Sequence, residues 1–237
     1  MSRTSKLTLV EFFGVPGVGK SYLLKRLVPP DAYKHQDKYY EGSRVKRIRR
    51  KILLVLKHFS TAIPTAFLIG RVIALYSQKG VLRRCKVLFN WLFIDSLIRE
   101  VAQSRHSVLA LDQGIAQALW STNFGAVQEP PFEKVYALLK LYLETLPELE
   151  LTVVRVTAPF DLILHRLAGR EGLSPLDTNI NRLQEAFLAE RKAIALIEHL
   201  CDIDINKTHI AIVNVENNAS TPEISLSSLW HDITSDD

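Results

Sequence analysis

Gly14-Val15-Pro16-Gly17-Val18-Gly19-Lys20-Ser21 decides how the rest of the chain is read, because it satisfies G-x-x-x-x-G-K-[ST] at every specified position. The run before it, Leu7-Thr8-Leu9-Val10-Glu11-Phe12-Phe13, is apolar enough for a parallel strand covered on both faces. The run after it, from Tyr22 to Leu27, continues as helix. A strand, a Gly-rich turn and a helix in that order aim backbone N–H groups and a helix N-terminus at a polyphosphate. Only residues without a Cβ let successive amides converge on phosphate oxygens, which accounts for the glycines. In such a turn Lys20 reaches the β- and γ-phosphates and the Ser21 hydroxyl is placed to ligate Mg²⁺. The alternative is a Gly-rich βα turn that binds nothing, and four residue types fixed at set spacing argue against it.

Three further strands are expected, at 107–111, 151–156 and 209–215, each β-branched or apolar. The first of them ends in Asp112-Gln113-Gly114. A carboxylate at the C-terminal end of a buried strand faces the ligand crevice of an open parallel sheet, so Asp112 is a candidate Mg²⁺ ligand beside the phosphate loop. Asp112 could also orient an acceptor hydroxyl. Glu11, inside the first strand, is a weaker second acid and reads better as a buried hydrogen-bonding carboxyl with a shifted pKa. After the strand at 151–156 and Pro159, a helix carries Arg166 and Arg170 four residues apart on one face, with Gly169 and Gly172 marking a hinge. Two arginines there suit a lid that closes over a transferring phosphoryl group; a solvated pair at a helix end is the competing reading.

The 237 residues, 47% hydrophobic, fit one α/β domain spanning 1–237 better than two domains. Cys85 and Cys201 are far apart, as incidental thiols would be, and with no apolar leader before the first strand a cytoplasmic location is expected. Positions 42–103 read as a mostly helical insertion for acceptor binding or for a lid. Ser43 is the expected cap of a helix on which Val45, Ile48, Ile52, Val55, Leu56 and Phe59 share one face at helical spacing. Arg44, Lys46, Arg47, Arg49, Arg50 and Lys51 crowd its first turns. Arg44, Arg47 and Lys51 fall on another face: a solvated surface, a phosphate clamp for an acceptor, or a peripheral contact with an anionic surface. No nucleic-acid module is present, and the apolar stretch at 61–76 falls short of a membrane span. Positions 216–237 form an acidic, Ser-containing tail.

With the loop, Asp112 and the arginine pair in hand, the chain resembles the nucleoside and nucleotide kinase branch of the P-loop proteins, most nearly the thymidylate-kinase-like group. The likeness is spread over about 7–28, 107–121 and 151–215 and is specific at the phosphate loop. The fold expected is therefore α/β, a three-layer P-loop NTPase fold with a five-stranded, mostly parallel sheet and a helical insertion. The resemblance implies that Gly14, Val15, Pro16, Gly17, Val18, Gly19, Lys20, Ser21 and Tyr22 bind ATP. It further implies that Ser21 and Asp112 hold Mg²⁺, that Arg166 and Arg170 are lid arginines, and that Arg182 is a weaker active-site candidate. Gln113 stands where these kinases usually carry an arginine that contacts the acceptor. The function expected is transfer of the ATP γ-phosphate to a small-molecule acceptor, nucleoside-like, nucleotide-like or sugar-like. Its rivals are a nucleotide-hydrolysing switch and a non-catalytic nucleotide-binding protein whose insertion meets a partner or membrane. The oligomeric state stays open, with a homodimer plausible.

Overall fold

The computed structural model describes residues 6–28, 39–78, 80–104, 108–169, 180–202, 205 and 208–218. Strand β1 (Leu7–Phe13) leads through the glycine turn into helix α1 (Lys20–Leu27). Three helices follow: α2 (Arg44–Lys57), α3 (Phe59–Leu75) and α4 (Val81–Ala102). The chain then forms β2 (Val108–Leu111), α5 (Ile115–Asn123), α6 (Phe132–Glu144), β3 (Leu149–Thr157), α7 (Phe160–Ala168), α8 (Ile180–Cys201) and β4 (Thr208–Glu216).

The sheet order is β2-β1-β3-β4 and every pairing is parallel. Burial follows position in that order. Central β1 is covered on both faces and is apolar almost throughout, whereas edge strand β4 alternates between inward and exposed positions. Because all strands run the same way, their C-terminal ends line one edge, where Gly14, Asp112, Ala158 and Asn217 emerge. The register Glu11↔Leu111 brings Asp112 level with the last residues before the phosphate loop.

The expectation of five strands is corrected to four among the described residues. The four segments read as strands in the sequence are the four observed. The described part of the stretch between α1 and β2 is predominantly helical and contains no strand, so β2, four residues long, forms an edge of the sheet.

Helix α2 begins at the basic cluster. The Ser43 cap forms as expected, with the Lys46 N–H donating to Ser43 Oγ at 3.4 Å. The apolar stripe, however, does not face the core. Val45 is 76% exposed and Ile48, Ile52, Leu56 and Phe59 are also exposed; of the six residues, only Val55 is buried. The helix packs on α4 instead through its Leu54 and Val55 side. Helix α3 is a single helix that keeps Pro64 inside it.

The helix joint is pinned. Lys57 Nζ donates to Glu100 Oε1 and Oε2 at 2.8 and 2.6 Å, and His58 Nε2 lies 2.9 Å from Oε2. Helix α4 is the spine of the insertion, with Trp91 donating to Thr122 Oγ1 at 3.1 Å. Its buried Asp95 is held by Arg99 and by the Thr65 hydroxyl, so that charge is paired and hydrogen-bonded. Cys85 and Cys201 are free thiols. No single helix is long and apolar enough to cross a membrane among the described residues.

Candidate functional site

The site grows from the glycine turn at the C-terminal edge of the sheet. Gly14, Gly17 and Gly19 have φ of 150°, 93° and 96°, and the last two lie in the region L side chains avoid. Space gives a second reason. A Cβ on Gly14 would strike the Val156 carbonyl, and one on Gly19 would strike the Asn217 amide. The turn is therefore wedged between β3, α7 and the segment after β4, and its path is fixed from outside as well as by its own torsions.

Lys20 starts α1 and folds back over the turn, donating from Nζ to Gly14 O at 2.6 Å and to Val15 O at 3.2 Å. Ser21 Oγ donates to Asp112 Oδ2 at 3.1 Å. Two residues 91 positions apart thus present adjacent oxygens where β1 and β2 both end. A hydroxyl and a carboxylate side by side are hard-oxygen donors suited to Mg²⁺, which completes its shell with phosphate and water. Among the described residues no group of three or more His, Cys, Asp or Glu could hold a metal by protein ligands alone.

Arg166, on α7, donates to Val18 O at 3.0 Å and Gly17 O at 3.4 Å, which lays its guanidinium against the turn. Arg170 lies outside the described residues. Arg182 is exposed on the first turn of α8, and Tyr22 is exposed with the Arg26 guanidinium 4.9 Å from its ring centre.

Glu11 is fully buried and serves the site from beneath. Its carboxyl accepts from the amides of Gly114 at 3.0 Å, Ala116 at 2.8 Å and Gln117 at 2.8 Å, so a side chain from β1 caps the N-terminus of α5. Burial pushes its pKa up to about 7 while those amides pull it down. A Cβ on Gly114 would come within 2.6 Å of that carboxyl, which is why glycine follows Asp112-Gln113. Glu11 therefore sets the turn that carries Asp112.

Beside Asp112 opens a narrow cleft lined by Tyr40, Lys51, Asn90, Phe93, Gln113 and Gln117 among others. Lys51 Nζ stands 4.0 Å from the Tyr40 ring centre and 4.3 Å from that of Phe93. Burial, with Arg47 adding to it and Asp112 opposing, lowers the Lys51 pKa to about 8. The basic cluster is thus divided: Lys51 turns inward, while Arg44, Lys46, Arg49 and Arg50 are exposed. Gln117 leaves Oε1 buried without a hydrogen-bond partner among the described residues.

Sequence reasoning missed Tyr40, Asn90, Phe93, Gln117 and Asn217. One of these was readable: Gln113, Gln117 and Ser121 recur every four residues, a polar row leading away from Asp112. The Asn217 side chain donates to Val18 O at 2.7 Å, bracing the glycine turn from the β4 side. Comparison of the chain with protein-family models, with curated proteins and with solved structures returns no match.

Proposed function

We propose that the chain is an ATP- and Mg²⁺-dependent kinase, a three-layer P-loop domain with 42–103 as its acceptor-side insertion. The observation that carries this reading is the 3.1 Å bond between Ser21 and Asp112 next to the positive-φ glycines. A Gly-rich turn alone needs no carboxylate from a second strand at its helix start; a magnesium-nucleotide site does. When bound, Mg²⁺ neutralises charge on the β- and γ-phosphate oxygens.

The protein's own groups supply position and field. Lys20 exchanges its loop carbonyls for phosphate oxygens, a charge-assisted bond replacing neutral ones. Arg166, already beside Val18, is close enough to the loop to stabilise charge on the transferring group, and Arg170 is the second candidate by sequence. In the transfer an acceptor hydroxyl oxygen forms the new bond to the γ-phosphorus as the bond to the bridging β-oxygen breaks, and the hydroxyl proton leaves to Asp112 or water. The cleft lined by Asn90, Gln113 and Gln117 favours a hydroxyl-bearing acceptor, which would donate to the unpartnered Gln117 Oε1. Lys51 is placed to meet an anionic or electron-rich part of it.

Incubation with γ-labelled ATP, Mg²⁺ and a mixed pool of hydroxylated metabolites tests the reading. A labelled organic product is the expected result. Free phosphate alone would make the protein a hydrolase, and no turnover with retained ATP binding would make it a binding module.

A further inference from the structure

Two rows of apolar residues, one on α2 and one on α3, stand in solvent. On α2, Ile48, Ile52 and Leu56 recur every four residues and are 45%, 41% and 58% exposed. On α3, Phe59, Ile63 and Phe67 recur at the same spacing and are 59%, 54% and 65% exposed. The two rows belong to helices that turn through 99° at His58, so the pair forms an L whose arms define a plane. Glu100 clamps the corner through Lys57 and His58. Two such exposed apolar rows meeting at one corner mark a docking face.

Charge identifies the occupant. From Gly42 to Ile94 the sequence contains Lys and Arg and not one Asp or Glu. Lys46 and Arg49 are exposed on α2 beside the apolar row, and the Arg71 guanidinium lies 5.7 Å from the Phe67 ring centre at the far end of α3. A second copy docked through the same face by a two-fold axis would set this acid-free segment against itself. A nucleic acid would meet the cations but gain nothing from exposed Ile and Leu. An anionic bilayer satisfies both, with cations at the headgroups and aliphatic and aromatic side chains at the acyl boundary. The L lies on such a surface and does not cross it, because the pair reaches spanning length and apolarity only when its bent arms are added together.

We propose that the outer face of the α2–α3 corner is a peripheral docking surface for anionic lipid bilayers, independent of the phosphoryl-transfer reading.

Co-sedimentation of the full chain with phosphatidylcholine vesicles, with and without phosphatidylglycerol, tests it. Binding is expected to rise at least about tenfold with the anionic lipid and to weaken with added salt. Leu56→Glu with Phe67→Glu should lose about tenfold or more of that binding, as should Lys46→Glu with Arg49→Glu, both pairs melting as the wild type does. The second pair keeps the test valid if the first misfolds. Equal partition onto neutral and anionic vesicles, or unchanged binding by either folded pair, overturns the proposal. So does an absence of vesicle binding together with a dimer, by sedimentation equilibrium, that Leu56→Glu with Phe67→Glu converts to monomer, which assigns the face to a second copy.

Discussion

The phosphate-loop edge of the sheet and the α2–α3 corner treat their side chains in opposite ways. At the sheet edge, polar groups are drawn inward and paired: Glu11 with three amides, Ser21 with Asp112, Asn217 with Val18. At the corner, apolar groups are turned outward while the buried contacts fall to Leu54, Val55 and the Glu100 clamp. The first region is over-determined, each group fixed from two or more strands. The second is attached along one side and leaves apolar side chains exposed on the other. A pattern of apolar spacing therefore reports that a face exists and leaves open what covers it.

Experiments that strike the two regions in parallel sharpen or break this contrast. The largest effect is expected at Lys20→Ala, which should cut phosphoryl transfer on the order of a thousandfold while the melting temperature barely moves. Full turnover in that variant removes the turn from the chemistry. Glu11 comes next, in stability. Its carboxyl titrates near 4.5 when free and at about 7 when folded, so the native state holds the proton more tightly between those values. Its contribution is fully present below pH 4.5 and falls as pH rises to about 7, by roughly 3 kcal/mol. Glu11→Gln should erase that slope in urea titrations run across the window. A slope that persists assigns it elsewhere.

Within α2, Leu54→Ala should cost about 2–3 kcal/mol and Leu56→Ala less than about 0.5 kcal/mol, because only the first side chain is buried. Equal costs by chemical denaturation would mean that the outer row is covered in the folded protein. Among the effects on catalysis the smaller is expected at Arg166→Ala, a drop of about tenfold in kcat with little change in the KM for ATP. A change in KM alone would make Arg166 a brace for the turn and no part of the transition state.

Much of the sheet was legible because its signals are local. The residues of β1 are apolar on both faces, the turn carries its glycines, and Ser43 caps the helix it was expected to cap. The Ser21–Asp112 pair was anticipated for a different reason: strand direction carries both residues to one edge once the strands are parallel. The fifth strand was misread, and the face to which Val45, Ile48 and Ile52 turn was not legible, because both depend on what lies beside a segment. Gln117 was missed although its four-residue spacing from Gln113 was legible, and Asn217 was missed because a lone amide side chain has no spacing to recognise.

The sequence by itself determined the glycine turn, the strands, the helix starts and the acid-free stretch, since each follows from torsional preference, hydrophobic period or charge within a few residues. Tertiary structure alone decided that Glu11 caps α5, that Lys51 turns inward between Tyr40 and Phe93, and that the apolar row of α2 faces out. Those outcomes depend on distances between groups remote in the chain, which strand register and helix packing fix.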